Sequence, residues 1–317
     1  MSASKRVLLT GGYGFIGAQI VRRLLDEGHD VYLMELASAD PGRLKDVRAN
    51  LHIREVDLKD GPKVLATVKE TRPDTILHLA TYYTIDHKPF EVPLMVDTNV
   101  LGISNLLEAA READVKHFIN ASSCFVYEQT GKPLRESGEL KPVNFYAMTK
   151  KFSEEACSHY CDNYGLRATT LRIFSPYGPG DHERRLIPSV IKSFHAGEAP
   201  KVSTGKQEWD FVYLDDIVDA FALAVTYSPK GHEAFNVASG KAVAVRDIVL
   251  HIRKLMGSKL EPLWGAVPHR KSEVWKLTAD ISKAKAKLGW KPKTDIFKDG
   301  LEKTVDWFVR RFGGDAK

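Results

Sequence analysis

The stretch Thr10-Gly11-Gly12-Tyr13-Gly14-Phe15-Ile16-Gly17 follows directly on the apolar run Val7-Leu8-Leu9 and leads into Phe15 to Glu27, whose apolar residues recur every three or four positions. A short aliphatic strand, a glycine-rich turn and an amphipathic helix in that order open a βαβ unit. Three of the four glycines in this stretch have separate uses. Gly11 permits the tight turn, Gly14 removes a Cβ where the backbone would approach a pyrophosphate, and Gly17 lets the helix lie close to the strand. The Phe15 and Ile16 N–H groups then sit at a helix N-terminus, where the helix dipole favours an anion. The sequence therefore predicts a dinucleotide site on a parallel sheet.

Outward from this unit the alternation of strand and helix persists. Besides Val7 to Leu9, strands are expected at Val31 to Met34, His52 to Val56, Thr75 to Leu79, His117 to Ala121 and Ala168 to Ile173. Asn99 to Glu112 repeats the helical apolar spacing, and Tyr146 to Tyr164 also reads as helix. Right-handed crossovers between such strands build an α/β fold, a Rossmann-type doubly wound parallel sheet. After about residue 175 the rhythm loosens. Ser175 to Asp181 holds two prolines and two glycines, and Pro200, Pro229, Pro262 and Pro268 separate later elements. The expected division is an NAD(P)-binding domain over residues 1–175 and a smaller, mainly substrate-binding region over 176–317, some of whose segments return to the sheet.

The 317 residues are 43% apolar, enough for a substantial core, which excludes a disordered or fibrous chain. Forty-six Lys and Arg against forty-one Asp and Glu give +5, scattered with no basic stripe or reading module, so no nucleic-acid partner is expected. Cys124, Cys157 and Cys161 are too few for a disulfide framework and point to a reducing compartment. Cys157 and Cys161 lie one helical turn apart without further ligands, so no metal is expected. The N-terminal apolar run is too short for a signal peptide and no run of eighteen apolar residues follows, which predicts a soluble, cytoplasmic protein without a membrane partner.

An acid is required where the second strand ends, and Glu35 stands there, eighteen residues after Gly17. Its carboxylate would accept hydrogen bonds from an adenosine ribose and repel a 2′-phosphate, favouring NAD, while nearby Arg43 and Lys45 keep NADP open. Asp57, ending the third strand, is placed to reach the adenine edge. Of the eleven tyrosines only Tyr146 has a lysine four residues on, Lys150, which brings both side chains to one helix face. A phenol titrating at about 10 needs a neighbouring cation to act as a base at neutral pH. Lys150 supplies one and could also hold the nicotinamide ribose. The fifth strand ends in Asn120-Ala121-Ser122-Ser123-Cys124, at the carboxyl edge where such sheets bind ligands, so Ser123 can hydrogen-bond a reacting hydroxyl or ketone.

With these motifs in order, the chain resembles the extended short-chain dehydrogenase/reductase family, in its nucleotide-sugar epimerase/dehydratase branch. The likeness runs from about Val7 to Trp307 through Asp57-Leu58, His78-Leu79-Ala80, Asn99 to Gly102, Ser122 to Tyr127, Tyr146 to Lys150, Arg172 to Pro179, Asp210 to Asp216 and Arg270 to Trp290. The resemblance implies a catalytic triad of Ser123, Tyr146 and Lys150. It also implies cofactor contacts at the glycine loop, Glu35, Asp57, Leu58, Leu79, Ala80 and Asn99, and substrate contacts at Ser122, Ser123, Cys124, Ser175, Arg185, Trp209 and Arg270, the last gripping a diphosphate. The implied substrate is a nucleoside-diphosphate sugar and the implied assembly a homodimer paired through Asn99 to Glu112 and Tyr146 to Tyr164.

Resemblance to the 4-epimerases implies that Tyr146 removes the proton of a sugar 4-hydroxyl while hydride passes from C4 to NAD, after which the 4-ketone turns over and is reduced on its other face. Sugar 4,6-dehydratases of this branch carry Asp-Glu where this chain has Cys124-Phe125, so dehydration is not expected. Trp209 replaces an Arg and Ser175 an Asn of the epimerase pattern. Both changes fall in the sugar-nucleotide pocket, and they leave a 4-keto-sugar reductase using NAD(P)H as the alternative. Cys124 beside Ser123 is also similar to reductases that epimerise next to the ketone, a role needing a second acid or base, for which His182 is a distant candidate. A non-catalytic sensor would have no use for a matched phenol and ammonium.

Overall fold

The computed structural model describes residues 4–84, 88–270 and 273–314; Met1 to Ala3 of the N-terminal stretch and Lys271-Ser272 of the Arg270 to Trp290 stretch lie outside the described residues. Six strands appear where the aliphatic runs lie: β1 (Arg6–Thr10), β2 (Asp30–Glu35), β3 (His52–Glu55), β4 (Thr75–His78), β5 (His117–Ser123) and β6 (Ala168–Ile173). A seventh, His232–Val237, comes from the later half and pairs with β6. All seven pair in parallel, in the order His232–Val237, β6, β5, β4, β1, β2, β3. This is the Rossmann-type arrangement, and its strand order reverses between β1 and β4, which opens a crevice at their carboxyl ends.

Helix α1 (Phe15–Asp26) packs beside α7 (Leu214–Thr226) on one face of the sheet, and α2 (Gly61–Thr71), α4 (Gly102–Glu112) and α5 (Phe145–Tyr164) pack together on the other. Each face closes over its own core. Val7, Leu9, Ile20, Leu24, Ile217 and Phe221 belong to the first, and Leu8, Ile76, Leu106, Phe118, Cys157 and Cys161 to the second. Alternate residues of β1 thus feed opposite cores, as a strand covered on both faces requires. Cys157 and Cys161 fill apolar space on α5. A third core, with Tyr177, Ile191, Phe211, Ile248 and Phe308, joins α6 (Leu186–His195), α8 (Val245–Leu255) and α9 (Leu301–Gly313). It is assembled entirely from residues after 175.

The expected helix from Asn99 begins differently. A short helix α3 (Glu91–Met95) passes into a π turn, Val96–Leu101, before α4 starts at Gly102, whose N–H donates to the Asp97 carbonyl. A Cβ on Gly102 would lie 3.1 Å from that of Leu58. The glycine lets this segment press on the loop that follows the third strand, and the wider turn directs Asn99 into the buried interior.

The seventh strand is an edge, and side chains occupy its outer backbone groups. Lys283 Nζ donates to the Ala234 carbonyl at 2.9 Å, and a Glu136 carboxylate oxygen accepts from Asn236 N–H at 2.9 Å. Among the described residues no helix is long and apolar enough to cross a membrane.

Candidate functional site

The glycine turn at the switch point is a cradle that side chains cannot enter. Gly11 has φ +77°, in the left-handed region, and a Cβ there would meet Ala80 N at 2.6 Å. At Gly17 a Cβ would stand 2.1 Å from the Gly11 carbonyl oxygen, so helix and turn touch through bare backbone. At Gly14 it would meet only that same oxygen, at 3.2 Å, leaving the outer side of the loop clear. Gly14 caps α1 without any side-chain hydrogen bond, which leaves the Phe15 and Ile16 N–H groups directed outward. Donor set and clearance fit a dinucleotide pyrophosphate.

Glu35 lies under this turn, buried, with one carboxylate oxygen accepting from Gly12 N–H. Burial pushes its carboxyl up to about 7, against the pull of hydrogen bonds from Gly12, Tyr13 and Gly11. Arg43, which left NADP open, is committed elsewhere. Its guanidinium lies against Gly180, within 2.8 Å of where a Cβ would stand, and it feels the Asp181 carboxylate. The other expected cofactor contacts divide. Leu79 and Ala80 border the cradle, their N–H groups donating to the Thr10 carbonyl at 3.0 Å and Thr10 Oγ1 at 3.3 Å. Asp57, beyond β3, accepts from Lys59 N–H at 3.0 Å, and Leu58 is buried. Asn99 is already saturated: it accepts from Thr81 Oγ1 and Tyr82 N–H and donates to the Tyr82 carbonyl and Thr149 Oγ1, all within 3.1 Å. It fixes the loop after β4.

Helix α5 carries the phenol and the ammonium. Its start is set by Asn144, whose side-chain oxygen accepts from Ala147 N–H at 2.8 Å, and its end by Gly165 at φ 72°. Its buried face is largely polar: Tyr146, Thr149, Lys150, Ser153 and Glu154 all point inward. Lys150 Nζ sits 5.8 Å from the centroid of the Tyr146 ring and donates to the Ala121 carbonyl of β5 at 2.9 Å. Burial lowers the Lys150 ammonium to about 8, with Glu154 opposing. Burial raises the Tyr146 phenol well above its ordinary value, Tyr83 and Cys124 add to that, and Arg185 opposes. His78 of β4, hydrogen-bonded through Nδ1 to Thr10 Oγ1 at 2.8 Å, is pushed down to about 3 by burial and by Lys150, so it adds no charge there.

Strand β5 runs two residues further than expected and delivers Ser122 and Ser123 as strand residues. Ser123 Oγ accepts from Phe125 N–H at 3.3 Å, capping the short turn Cys124–Val126 and keeping its hydroxyl hydrogen to donate. Burial pushes the Cys124 thiol up to about 12, with a Ser123 hydrogen bond opposing, so it is a neutral wall. Ser122 faces the other way and donates to Glu154. Arg185, at the start of α6, reaches Asp181 at 3.3 Å and acts electrostatically on Tyr146, Tyr83 and Cys124; Arg270 acts on Tyr83. Ser123, Cys124, Tyr146, Lys150, Arg185 and Arg270 therefore converge. Ser175 is buried, with its carbonyl accepting from Val212 N–H at 3.1 Å. Trp209 donates its indole N–H to the Val274 carbonyl at 2.6 Å and packs near Phe211. Its polar atom holds a neighbouring segment. Sequence reasoning missed Tyr83, whose ring leans on Tyr146; the aromatic pair Tyr82-Tyr83 after the fourth strand was the available signal.

The model of the NAD dependent epimerase/dehydratase family matches residues 7–238. The UDP-glucuronate 4-epimerase of Thermodesulfobacterium geofontis is 31% identical over 313 residues, 95% of either chain. The UDP-glucose 4-epimerase of Lactobacillus helveticus is 28% identical over 322 residues, covering 95% of this chain and 96% of that one. Among solved structures, the UDP-glucose 4-epimerase of Thermotoga maritima with UDP-glucose superposes with a TM-score of 0.90 at 29% identity, over 97% of this chain and 99% of that one. The Thermus thermophilus UDP-glucose 4-epimerase complex with NAD gives a TM-score of 0.86 at 28% identity, over 96% and 98%. On its glycine cradle, its phenol and ammonium pair and this match across most of its length, the chain belongs to the NAD dependent epimerase/dehydratase family.

Proposed function

We propose that this chain is an NAD-dependent 4-epimerase of a UDP-sugar, inverting C4 through a transient 4-keto sugar. The observation that carries the reading is the buried Tyr146 and Lys150 pair, set on one helix face beside the glycine cradle. NAD, when bound, supplies the acceptor and donor of the C4 hydride and a positive charge near the phenol. Gly11, Gly14, Gly17, Phe15 and Ile16 hold its pyrophosphate, and Glu35 its adenosine ribose. Tyr146 Oη takes the 4-hydroxyl proton as the C4–H bond breaks, and returns it to the 4-keto oxygen when C4–H re-forms on the opposite face. Lys150 favours the phenolate, and Ser123 donates to the 4-oxygen. Buried Cys124 keeps water from that side of the exchange. Residues 176–317 provide the substrate region, with Arg185 and Arg270 offering cations to the diphosphate.

Exposed Leu94, Leu101, Met148 and Phe152 lie along α3 to α5 and support pairing of two copies through that helical face. Three buried free thiols suit a cytoplasmic setting. The deciding experiment incubates purified enzyme with UDP-glucose, UDP-N-acetylglucosamine and UDP-glucuronate, following product sugars and reduced-nicotinamide absorbance together. Sugar inversion without net absorbance change is the expected result. Stoichiometric consumption of added NADH by a 4-keto sugar, with no inversion, would overturn it.

A further inference from the structure

One rung of the sheet, running across β5, β6 and the seventh strand, is polar throughout. Ser122 lies opposite Arg172, and Arg172 opposite Asn236. From helix α5 above it, Glu154 descends onto this rung. It accepts from Ser122 and takes a bidentate salt bridge from Arg172, whose Nη2 lies 2.6 Å from Oε2 and Nε 3.1 Å from Oε1. Arg172 also donates to Tyr127 Oη at 2.7 Å, which in turn donates to Asn236 Oδ1 at 2.6 Å. Glu154 and Arg172 are 2% and 4% exposed, so this ion pair is sealed from water.

A buried ion pair contributes little net stability, because desolvating both charges offsets their attraction. Its position gives it another use. Glu154 follows Lys150 by four residues on the same helix face, so one helical turn separates carboxylate from ammonium. Lys150 Nζ and Ser153 Oγ are bound at adjacent strand positions, to the Ala121 carbonyl and the Asn120 amide. Resting on the proposed epimerase reading, we propose that Glu154, locked in place by Arg172, is a positioning residue that keeps Lys150 seated against β5 as a cation. Lys150 is flanked by Tyr146 and Glu154 on its own helix, by neutral His78 on β4 and by the Ala121 carbonyl on β5. Glu154 is faced by Ser122, Arg172, Tyr127, Cys157 and His232. Within this set Glu154 is the carboxylate that holds up the proton affinity of Lys150 against burial.

The test removes the charge without leaving Arg172 unpaired. The double variant Glu154→Gln, Arg172→Met keeps volume and removes both ions, and the single variant Glu154→Asp keeps the negative charge. In the double variant, Lys150 is expected to lose its proton at a pH lower by about one unit, read by heteronuclear NMR of isotopically labelled lysine side chains in cofactor-free protein. The basic limb of the pH profile for single-turnover reduction of bound NAD moves down by the same amount, about tenfold in rate at a fixed pH above the limb, while NAD retention stays. Glu154→Asp restores the limb. An unmoved Lys150 titration in a folded double variant overturns the proposal, even with epimerase activity intact. A shifted titration in the double variant, together with an unsubstituted chain that inverts no sugar, supports the electrostatic role and overturns the epimerase reading instead. If the double variant does not fold, the comparison is made with Glu154→Gln alone, and an unchanged titration there is equally fatal.

Discussion

The ring of Tyr83 meets the ring of Tyr146 edge-on, with centroids 4.9 Å apart and planes at 88°. Asn99 holds the Tyr83 loop by hydrogen bonds to both the N–H and the carbonyl of Tyr82. An edge-to-face pair contributes roughly 0.5–1.5 kcal/mol beyond burial, and here it orients the phenol. Tyr83→Ala should therefore lower the rate of the first hydride transfer by roughly three- to tenfold, and Tyr83→Phe should keep it. Stopped-flow absorbance of bound reduced nicotinamide measures this; a full rate in Tyr83→Ala removes the orienting role.

Tyr146→Phe keeps the ring, its packing and the Lys150 contact but removes the atom that carries the proton. Turnover should drop by roughly 10²–10⁴-fold, with NAD content of the purified protein unchanged. Product assay and nucleotide released on denaturation give the two readings. Retained activity would refute the assigned role.

Gly17→Ala should fail for a backbone reason. Its Cβ would sit 2.1 Å from the Gly11 carbonyl oxygen, so turn and helix must separate. A loss of roughly 1–3 kcal/mol, seen as a lower Tm, should accompany loss of bound NAD. Gly28→Ala is the control: open space surrounds that site, and its φ of +79° costs about 1–2 kcal/mol without touching the cradle.

If Glu35 holds the adenosine ribose as proposed, NAD binding should depend on pH. Its carboxyl rises from 4.5 to about 7 on folding, so the folded chain holds this proton more tightly than the unfolded chain. The stability this contributes is full below about 4.5 and is lost as pH rises through about 7. Ribose hydroxyls would donate to the ionised form, so affinity should move oppositely. NAD affinity of cofactor-free protein should fall about tenfold per unit below pH 7, and Glu35→Gln should flatten that slope. Calorimetric titration over this range measures both.

What could be read ahead of the structure follows from how local each signal was. Strand, glycine turn and helix are contiguous, so β1, α1 and the cradle lay open, as did the Tyr146 and Lys150 pair one turn apart. The π turn at Val96–Leu101 was hidden because apolar spacing of three and four does not register one inserted residue. The use of Asn99 as a loop brace went with it. The seventh strand was foreseen only as an unspecified return to the sheet, since His232–Val237 mixes polar and apolar residues. Glu154 and Arg172 stand on different elements, α5 and β6, and no spacing rule connects them. The indole N–H of Trp209 bonds a carbonyl sixty-five residues further along the chain, a contact that no local spacing announces.

The outer margin of the seventh strand is partly occupied by side chains of the same molecule. A bare strand margin templates addition of further strands from another molecule, the route to ribbon-like aggregates. With Lys283 covering the Ala234 carbonyl and Glu136 holding the Asn236 N–H, these two backbone groups already have side-chain partners and are not left open to a strand from another molecule.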